Sequence, residues 1–112
     1  MKTDRIYLQH IVDAVDNIDK FIKGVKKDSF VKNVLVHSAV IRQLEIIGEA
    51  VKKVSVESKR KHKDIPWRDI GDLRNKLIHE YFGVDLSLVW IVCKRDIPTL
   101  KQAVKSIIAE IK

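Results

Sequence analysis

The fold is decided by residues 34–51, whose sequence is VLVHSAVIRQLEIIGEAV. Apolar side chains recur at Val40, Leu44, Ile47 and Val51, and this spacing predicts an amphipathic α-helix. The remaining apolar residues of the stretch extend its apolar surface around most of the helix. In a small protein such a helix needs a second partner surface, so we expect two copies of the chain to form a homodimer.

The segments on either side of this stretch predict further helices. Between residues 3 and 27, apolar residues recur at helical spacing and predict a first helix. Asp28 and Ser29 are good helix-capping residues, and we expect the second helix to run unbroken from there through Val51. The polar run at residues 57–63 predicts a loop.

The second half of the chain predicts two more helical segments. One should begin near Pro66, because proline is tolerated in a first helical turn, and end at about Phe82, before Gly83. Asp85 caps the last segment, which Pro98 interrupts, so the sequence leaves open one kinked helix or two. Together these patterns predict an all-α fold, an antiparallel bundle of four to five helices.

Composition supports one globular domain over residues 1–112. Of the 112 residues, 46% are hydrophobic, which is enough to form a core and excludes a disordered chain. Four glycines and two prolines are too few for a many-stranded β fold. The formal net charge of +7 favours a polyanionic partner, although scattered lysines also serve solubility.

The sequence also predicts where the protein resides. Cys93 is the single cysteine and lies in an apolar run, so we expect a buried thiol in a reducing cytoplasm. The N-terminus lacks the apolar stretch of a secretory signal, and no window approaches the ~18 apolar residues of a membrane span. We therefore expect a soluble cytoplasmic protein that does not associate with membranes.

Residues 74–81, RNKLIHEY, carry the densest cluster of groups with catalytic potential. On a helix of about 100° per residue, Asn75 and His79 point away from the apolar stripe of this segment. Arg74 and His79 are about 140° and about 7.5 Å apart, so one helix does not join them, whereas two copies across a dimer axis can. Histidine can move a ribose hydroxyl proton near neutral pH, and arginine can bind phosphate, which together suit RNA cleavage. The spacing alone is weak evidence, because this pair recurs by chance in helical proteins.

This segment resembles the motif of the HEPN family in the version found in HepT toxins: arginine, four residues, histidine, one residue, tyrosine. The flanking sequence resembles that family as well, at residues 42–50 (RQLEIIGEA), 65–67 (IPW), 82–85 (FGVD) and 89–90 (VW). One departure is Gly71, since many relatives have this glycine one position later. The resemblance covers nearly the whole chain.

The resemblance implies a metal-independent endoribonuclease toxin of a HepT–MntA toxin–antitoxin pair, with no cofactor. By this carry-over Arg74 and His79 are catalytic, and Asn75 orients or binds the substrate. The implied partner is an MntA-like nucleotidyltransferase antitoxin, which silences the toxin by transferring AMP to Tyr81. A bulky anion beside Arg74 and His79 would occupy the phosphate site and exclude RNA.

Two other polar groups are secondary candidates. Arg42, Glu45 and Glu49 share one helical face. They form either a solvated ion-pair ladder or, as the resemblance implies for Arg42 and Glu45, part of the active cleft. The basic run at residues 59–63 could hold RNA phosphates, but a mobile solvated loop is the favoured interpretation.

The remaining histidines and tryptophans suggest structural roles. His10 and His37 lack partners at metal-ligand spacing, and Trp67 and Trp90 lie among apolar neighbours typical of a core. Two alternatives to the nuclease stay open. One is a non-catalytic module that docks a nucleotidyltransferase and helps it bind nucleotide or substrate. The other is a structural dimerisation bundle.

Overall fold

The computed structural model describes residues 2–72 and 85–111, and all regular structure within these ranges is helical. This confirms the all-α prediction. The elements in chain order are α1 (Lys2–Ile22), α2 (Lys27–Lys32), α3 (Val34–Lys53), α4 (Val56–Lys61), α5 (67–72), α6 (Leu86–Ile91), a π-helical turn (Val92–Asp96) and α7 (Ile97–Glu110).

The first helix is confirmed, but it ends at Ile22 and not near residue 27. Gly24 has a φ of +74°, a left-handed backbone conformation that glycine adopts without the penalty a Cβ imposes. The N–H of Val25 then donates to the carbonyl of Ile22 at 2.9 Å and closes the turn. The apolar pattern continued past this point, but the backbone reversed direction at the glycine.

The prediction of one unbroken helix from Asp28 through Val51 is wrong, because Asn33 divides it into α2 and α3. Asn33 has an extended backbone, and its side-chain oxygen accepts from the N–H of Val36 at 3.1 Å. Asparagine side chains compete for backbone hydrogen bonds in this way and therefore favour helix ends over helix interiors.

The predicted loop at residues 57–63 is also wrong over most of its length, because α4 occupies Val56–Lys61. Ser55 caps this helix: its side-chain oxygen accepts from the N–H of Ser58 at 3.2 Å. A polar surface did not imply a loop here, since a short helix can be held by its cap and by a few buried contacts.

The last helical segment begins where it was predicted. The carboxylate of Asp85 accepts from the N–H groups of Ser87 and Leu88 at 3.0 and 3.2 Å, which confirms the cap. The chain then stays helical through the π-helical turn into α7, and Pro98 lies in the first turn of α7. A π-helical turn before a proline accommodates the missing N–H and the bulk of the ring.

The core lies where α1 packs between α3 and α7. Asp4 contacts Ser55 at one end of α1, and Asn17 donates to Gln43 at 3.2 Å near the other end, so α1 and α3 are antiparallel. The fully buried side chains of these helices include Leu8, Ile11, Val15, Ile18, Val40, Leu44, Ile47, Val51 and Val104. No helix in the described ranges combines the length and apolar character that crossing a bilayer requires.

Candidate functional site

The predicted catalytic segment, residues 74–81, lies outside the described residues, and with it Arg74, Asn75, His79 and Tyr81. The predicted third helix is confirmed from residue 67 to residue 72. Its expected end, at Phe82 and Gly83, falls outside the described ranges too. The surfaces that the structure describes therefore belong to residues 2–72 and 85–111.

On α3, the structure brings together two of the secondary candidates, Arg42 and Glu45. A guanidinium nitrogen of Arg42 lies 3.4 Å from a carboxylate oxygen of Glu45, and the two side chains are 62% and 20% exposed. An ion pair this exposed contributes at most about 1 kcal/mol to stability. The contact agrees with the ion-pair hypothesis for this face, and the open guanidinium of Arg42 remains accessible to a ligand.

A cavity of about 550 Å³ lies between α3, α5, the π-helical turn and α7. Its walls are mainly apolar and include Leu44, Ile47, Asp64, Ile65, Pro66, Asp69, Ile70, Val92, Arg95, Asp96, Ile97, Thr99, Leu100 and Ala103. Arg95, the one cation among the described residues of this lining, donates two hydrogen bonds to Asp96, at 2.9 and 3.2 Å. Because carboxylates outnumber cations on these walls, this part of the cavity disfavours a phosphate group.

A second, smaller cleft of about 330 Å³ has the opposite charge character. Lys52 from the end of α3, Lys59 from α4 and Arg68 from α5 line it together with Asp72. Among the described residues of this lining, three cations face one carboxylate, an arrangement that favours phosphate groups. Sequence analysis had noted only the run at residues 59–63, because the other two cations are distant in sequence.

The helix that supplies Lys59 is anchored by a buried carboxylate that sequence reasoning missed. Asp4 is 3% exposed, and its oxygens accept from the Ser55 N–H at 2.9 Å and from the hydroxyls of Ser55 and Ser58 at 2.6 Å each. Burial alone would raise the pKa of Asp4, but the hydrogen bonds from Ser55 and Ser58 outweigh burial and hold this pKa below its ordinary value. The spacing of the two serines was the only available signal, and it does not identify the partner of either.

The opposite end of α4 is held as well. The indole N–H of Trp67 donates to the carbonyl of His62 at 3.0 Å, and Trp67 is 8% exposed. His62 also lies 3.1 Å from a carboxylate oxygen of Glu110 at the end of α7. The structure thus confirms a packing role for Trp67 and shows that residues 56–62 are not a mobile loop.

His37, Trp90 and Cys93, which the sequence singled out, pack within the fold. A ring nitrogen of His37 lies 3.1 Å from the carbonyl oxygen of Phe30, and Trp90 packs on Phe30 with ring centroids 5.1 Å apart. Cys93 is buried, as predicted, and burial raises the pKa of its thiol to about 12. Within the described ranges no group of three or more candidate ligands could hold a metal ion.

The sequence of the chain is similar to one protein family and to several known proteins. The family model described as Ribonuclease HepT-like matches residues 11–107. The chain is 43% identical over 112 residues, the full length of both proteins, to Putative RNase TTE0752 of Caldanaerobacter subterraneus subsp. tengcongensis. It is also 43% identical to Probable ribonuclease HepT of Thermococcus cleftensis over 100 residues. These aligned residues are 89% of this chain and 91% of that protein.

A further relative is longer than this chain. Gamma-glutamylcyclotransferase and putative RNase MJ0434 of Methanocaldococcus jannaschii is 42% identical over 110 residues, which are 98% of this chain and half of that protein. No solved structure matches the chain significantly. A helical fold, the motif at residues 74–81 and similarity to these proteins over 89–100% of this chain lead to one conclusion: the chain belongs to the HepT-like ribonuclease family.

Proposed function

We propose that this chain is an endoribonuclease that cleaves RNA without a metal ion, with Arg74 and His79 as its catalytic residues. The observation that carries the proposal is the motif RNKLIHEY at residues 74–81, inside the range that the HepT-like ribonuclease family matches. Relatives named as ribonucleases align over 89–100% of the chain, which supports the same activity. The cations that line the smaller cleft, Lys52, Lys59 and Arg68, add an electrostatic preference for a polyanion.

The chemistry follows from the two side chains. Neutral His79 removes the proton of a ribose 2′-hydroxyl, and that oxygen attacks the adjacent phosphorus. The 5′-oxygen leaves and takes up a proton from the histidine of the second subunit, while Arg74 stabilises the growing negative charge on the phosphate. The products are a 2′,3′-cyclic phosphate and a free 5′-hydroxyl, so the step needs no oxidant and no metal.

The test is cleavage of a fluorescently labelled RNA in EDTA by the purified wild-type protein and two variants. His79→Ala and Arg74→Ala should each lower the rate at least about 100-fold, because each removes a group needed in the transition state. His10→Ala and Arg5→Ala are matched controls, since both residues lie exposed on α1. Undiminished cleavage by either motif variant would refute the assignment. A wild-type protein that does not cleave at all would favour the docking-module alternative.

A homodimer completes this site, because two subunits supply the base, the acid and the paired arginines. The start of α3 supports a second copy: Val34 and Leu35 are 66% and 79% exposed, which is unusual for adjacent aliphatic residues. Light scattering at micromolar concentration should give the mass of a dimer. Leu35→Asp should shift that mass towards the monomer and lower RNA cleavage in parallel, and a wild-type protein that is monomeric would contradict the proposal.

We further propose that the protein is the toxin of a cytoplasmic toxin–antitoxin pair. Its antitoxin is an MntA-like nucleotidyltransferase that transfers AMP to Tyr81. The tyrosine is two positions after His79, so a nucleotide attached there would compete with RNA for the phosphate-binding groups. Incubation with the cognate transferase and ATP should add the mass of AMP to the wild-type protein and not to Tyr81→Phe. AMP found on the phenylalanine variant would place the modification elsewhere.

A further inference from the structure

We propose that the cleft between α3, α4 and α5 is a second phosphate-binding site, which holds the backbone of an RNA strand outside the catalytic motif. It is defined by Lys52, Lys59 and Arg68, and we call it the basic cleft. The inference rests on the proposed function in one respect only, that the polyanion is RNA. The existence of the phosphate site is argued from charge and geometry.

The charge of the chain is concentrated around this cleft. Residues 52–72 contain seven lysines and arginines against four acidic residues, so these 21 residues carry a net +3 of the formal +7 of the whole chain. Lysines that serve only solubility are interspersed with acidic residues over the surface. A concentration of one sign on a single segment instead produces a local field that attracts polyanions.

Three elements converge to build the basic cleft. Lys52 ends α3, Lys59 lies on α4 and Arg68 on α5, and a cavity of about 330 Å³ separates them. This volume is at the lower end of small-ligand pockets, which are about 300–1,000 Å³. Lys59 and Arg68, from separate helices, present like charges to the same cleft, and an anion bound there would reduce their repulsion.

The side chain of Lys52 packs against α5 at Gly71. A Cβ on Gly71 would meet the Cγ and Cε atoms of Lys52 at 3.5 Å, so the aliphatic stem of Lys52 lies along the backbone of α5. A lysine stem packed on a buried backbone leaves its ammonium group at the solvent edge. The end of α3 therefore lies close to α5, on the wall of the basic cleft, and a methyl group at position 71 would make only ordinary contacts there.

The short helix α4 is fixed in place at both ends, although most of its surface is polar. The buried carboxylate of Asp4 holds its first turn through Ser55 and Ser58, and the indole of Trp67 holds the carbonyl of His62 just after its last residue. Fixing the backbone reduces the conformational entropy that the basic side chains lose when a ligand binds. An anchor of this kind is expected for a helix that presents a binding surface.

A polynucleotide fits the surroundings better than a free mononucleotide. Arg60, Lys61 and Lys63 are exposed and lie within four positions of Lys59 in the sequence, so the cleft belongs to a segment with further exposed cations. On the other side Asp72 borders the cleft and precedes Arg74 by two positions.

The test measures binding of an RNA analogue that cannot be cleaved. A fluorescently labelled 12-nucleotide 2′-O-methyl oligouridine lacks the 2′-hydroxyl nucleophile, so its anisotropy reports binding whether or not the protein is a nuclease. Dissociation constants are measured over a range of KCl concentrations for the wild type and for Lys59→Gln/Arg68→Gln. The control is Lys20→Gln/Lys32→Gln, which removes the same charge from exposed positions. Lys20 lies about 24 Å along α1 from Asp4, the residue that contacts Ser58 of α4, so it is far from that contact.

The expected result is a change in salt dependence confined to the cleft variant. Each lost phosphate contact on a single strand lowers the slope of log Kd against log salt by about 0.7, so the double variant should lose about 1.4. The control should keep the wild-type slope. Equal weakening by both variants, or an unchanged slope in the cleft variant, would overturn the proposal, because it would show that only the overall charge matters.

Two further arms separate the possible sources of the phosphate and the two proposals. UMP should compete with the oligonucleotide only at concentrations at least 100-fold above those of the unlabelled 12-mer, and equally good competition would overturn the assignment to a polynucleotide. In cleavage assays, His79→Ala tests the nuclease proposal alone. If cleavage does not depend on His79 while the salt slope does depend on Lys59 and Arg68, the proposed function fails and the basic cleft remains.

Discussion

Replacement of Asp4 by alanine should destabilise the protein more than any other single change in the first turn of α1. The carboxylate is 3% exposed and accepts three hydrogen bonds, from the backbone and hydroxyl of Ser55 and from the hydroxyl of Ser58. Hydrogen bonds to a charged group contribute roughly 1.5–3 kcal/mol each, and the stranded donors partly regain water or other partners. We therefore expect a loss of about 3–5 kcal/mol, a value typical of removing one partner from a buried charged group.

Urea unfolding followed by tryptophan fluorescence measures this loss directly, since Trp67 lies beside α4 and is 8% exposed. A loss of that size should lower the melting temperature by roughly 12–20 °C in a domain of this length. Asp13→Ala is the matched control: Asp13 is exposed on the same helix and accepts one hydrogen bond, from Gln9 at 3.0 Å, so its replacement should change stability by less than about 0.5 kcal/mol. If Asp4→Ala is no more destabilising than Asp13→Ala, the anchoring role of Asp4 is refuted.

The same carboxylate predicts the pH dependence of stability. Hydrogen bonds hold the pKa of Asp4 below its ordinary value despite its burial. A carboxylate with a lowered pKa in the folded state stabilises fully above its unfolded pKa of about 3.9, and this stabilisation is lost as pH falls through the folded value. The difference in unfolding free energy between wild type and Asp4→Asn should thus be constant from about pH 5 to 7 and shrink below about pH 4. A constant difference down to pH 2 would contradict the ionised network.

Three further experiments test local features of the fold. Cys93 is buried and the pKa of its thiol is raised to about 12, so native protein at pH 8 should not react with a disulfide reagent until it is unfolded in urea; rapid native reaction would contradict this. Gly24→Ala should lower the unfolding free energy by about 1 kcal/mol, because φ is +74° and no neighbour lies within 4 Å to stabilise a methyl group, whereas unchanged stability would show that the turn relaxes at little cost. Asp85→Ala removes a helix cap with two hydrogen bonds and should lower the unfolding free energy by about 1 kcal/mol. Asp85→Ser should restore most of that loss, and if it does not, the loss is not due to capping.

Local features of this chain followed from the sequence because each depends on neighbouring residues. The apolar spacing of α1, α3 and α7, the helix start after Pro66 and the cap at Asp85 are all confirmed. Three boundaries were missed for local reasons, the first being the end of α1 at Ile22, just before Gly24. Asn33 ended one helix and began the next, and Ser55 began a helix in a run that looked like a loop.

The candidate site divides in the same way. The motif at residues 74–81 and the family were accessible from sequence alone, because a motif and its spacing lie in consecutive residues. The surroundings of the motif were not. Lys52, Lys59 and Arg68 are spread over three helices, and only the packed structure shows that they line one cleft.

What the sequence determined by itself was the helical class, the apolar faces and the family, since these depend on residue type at short range. What only the tertiary structure decided was which distant polar groups meet. Asp4 is separated from Ser55 by 51 positions, and no propensity links an aspartate in one helix to the cap of another. Their meeting depends on the antiparallel packing of α1 against α3, because the energy of a buried hydrogen bond depends on distance and burial and not on separation in the chain.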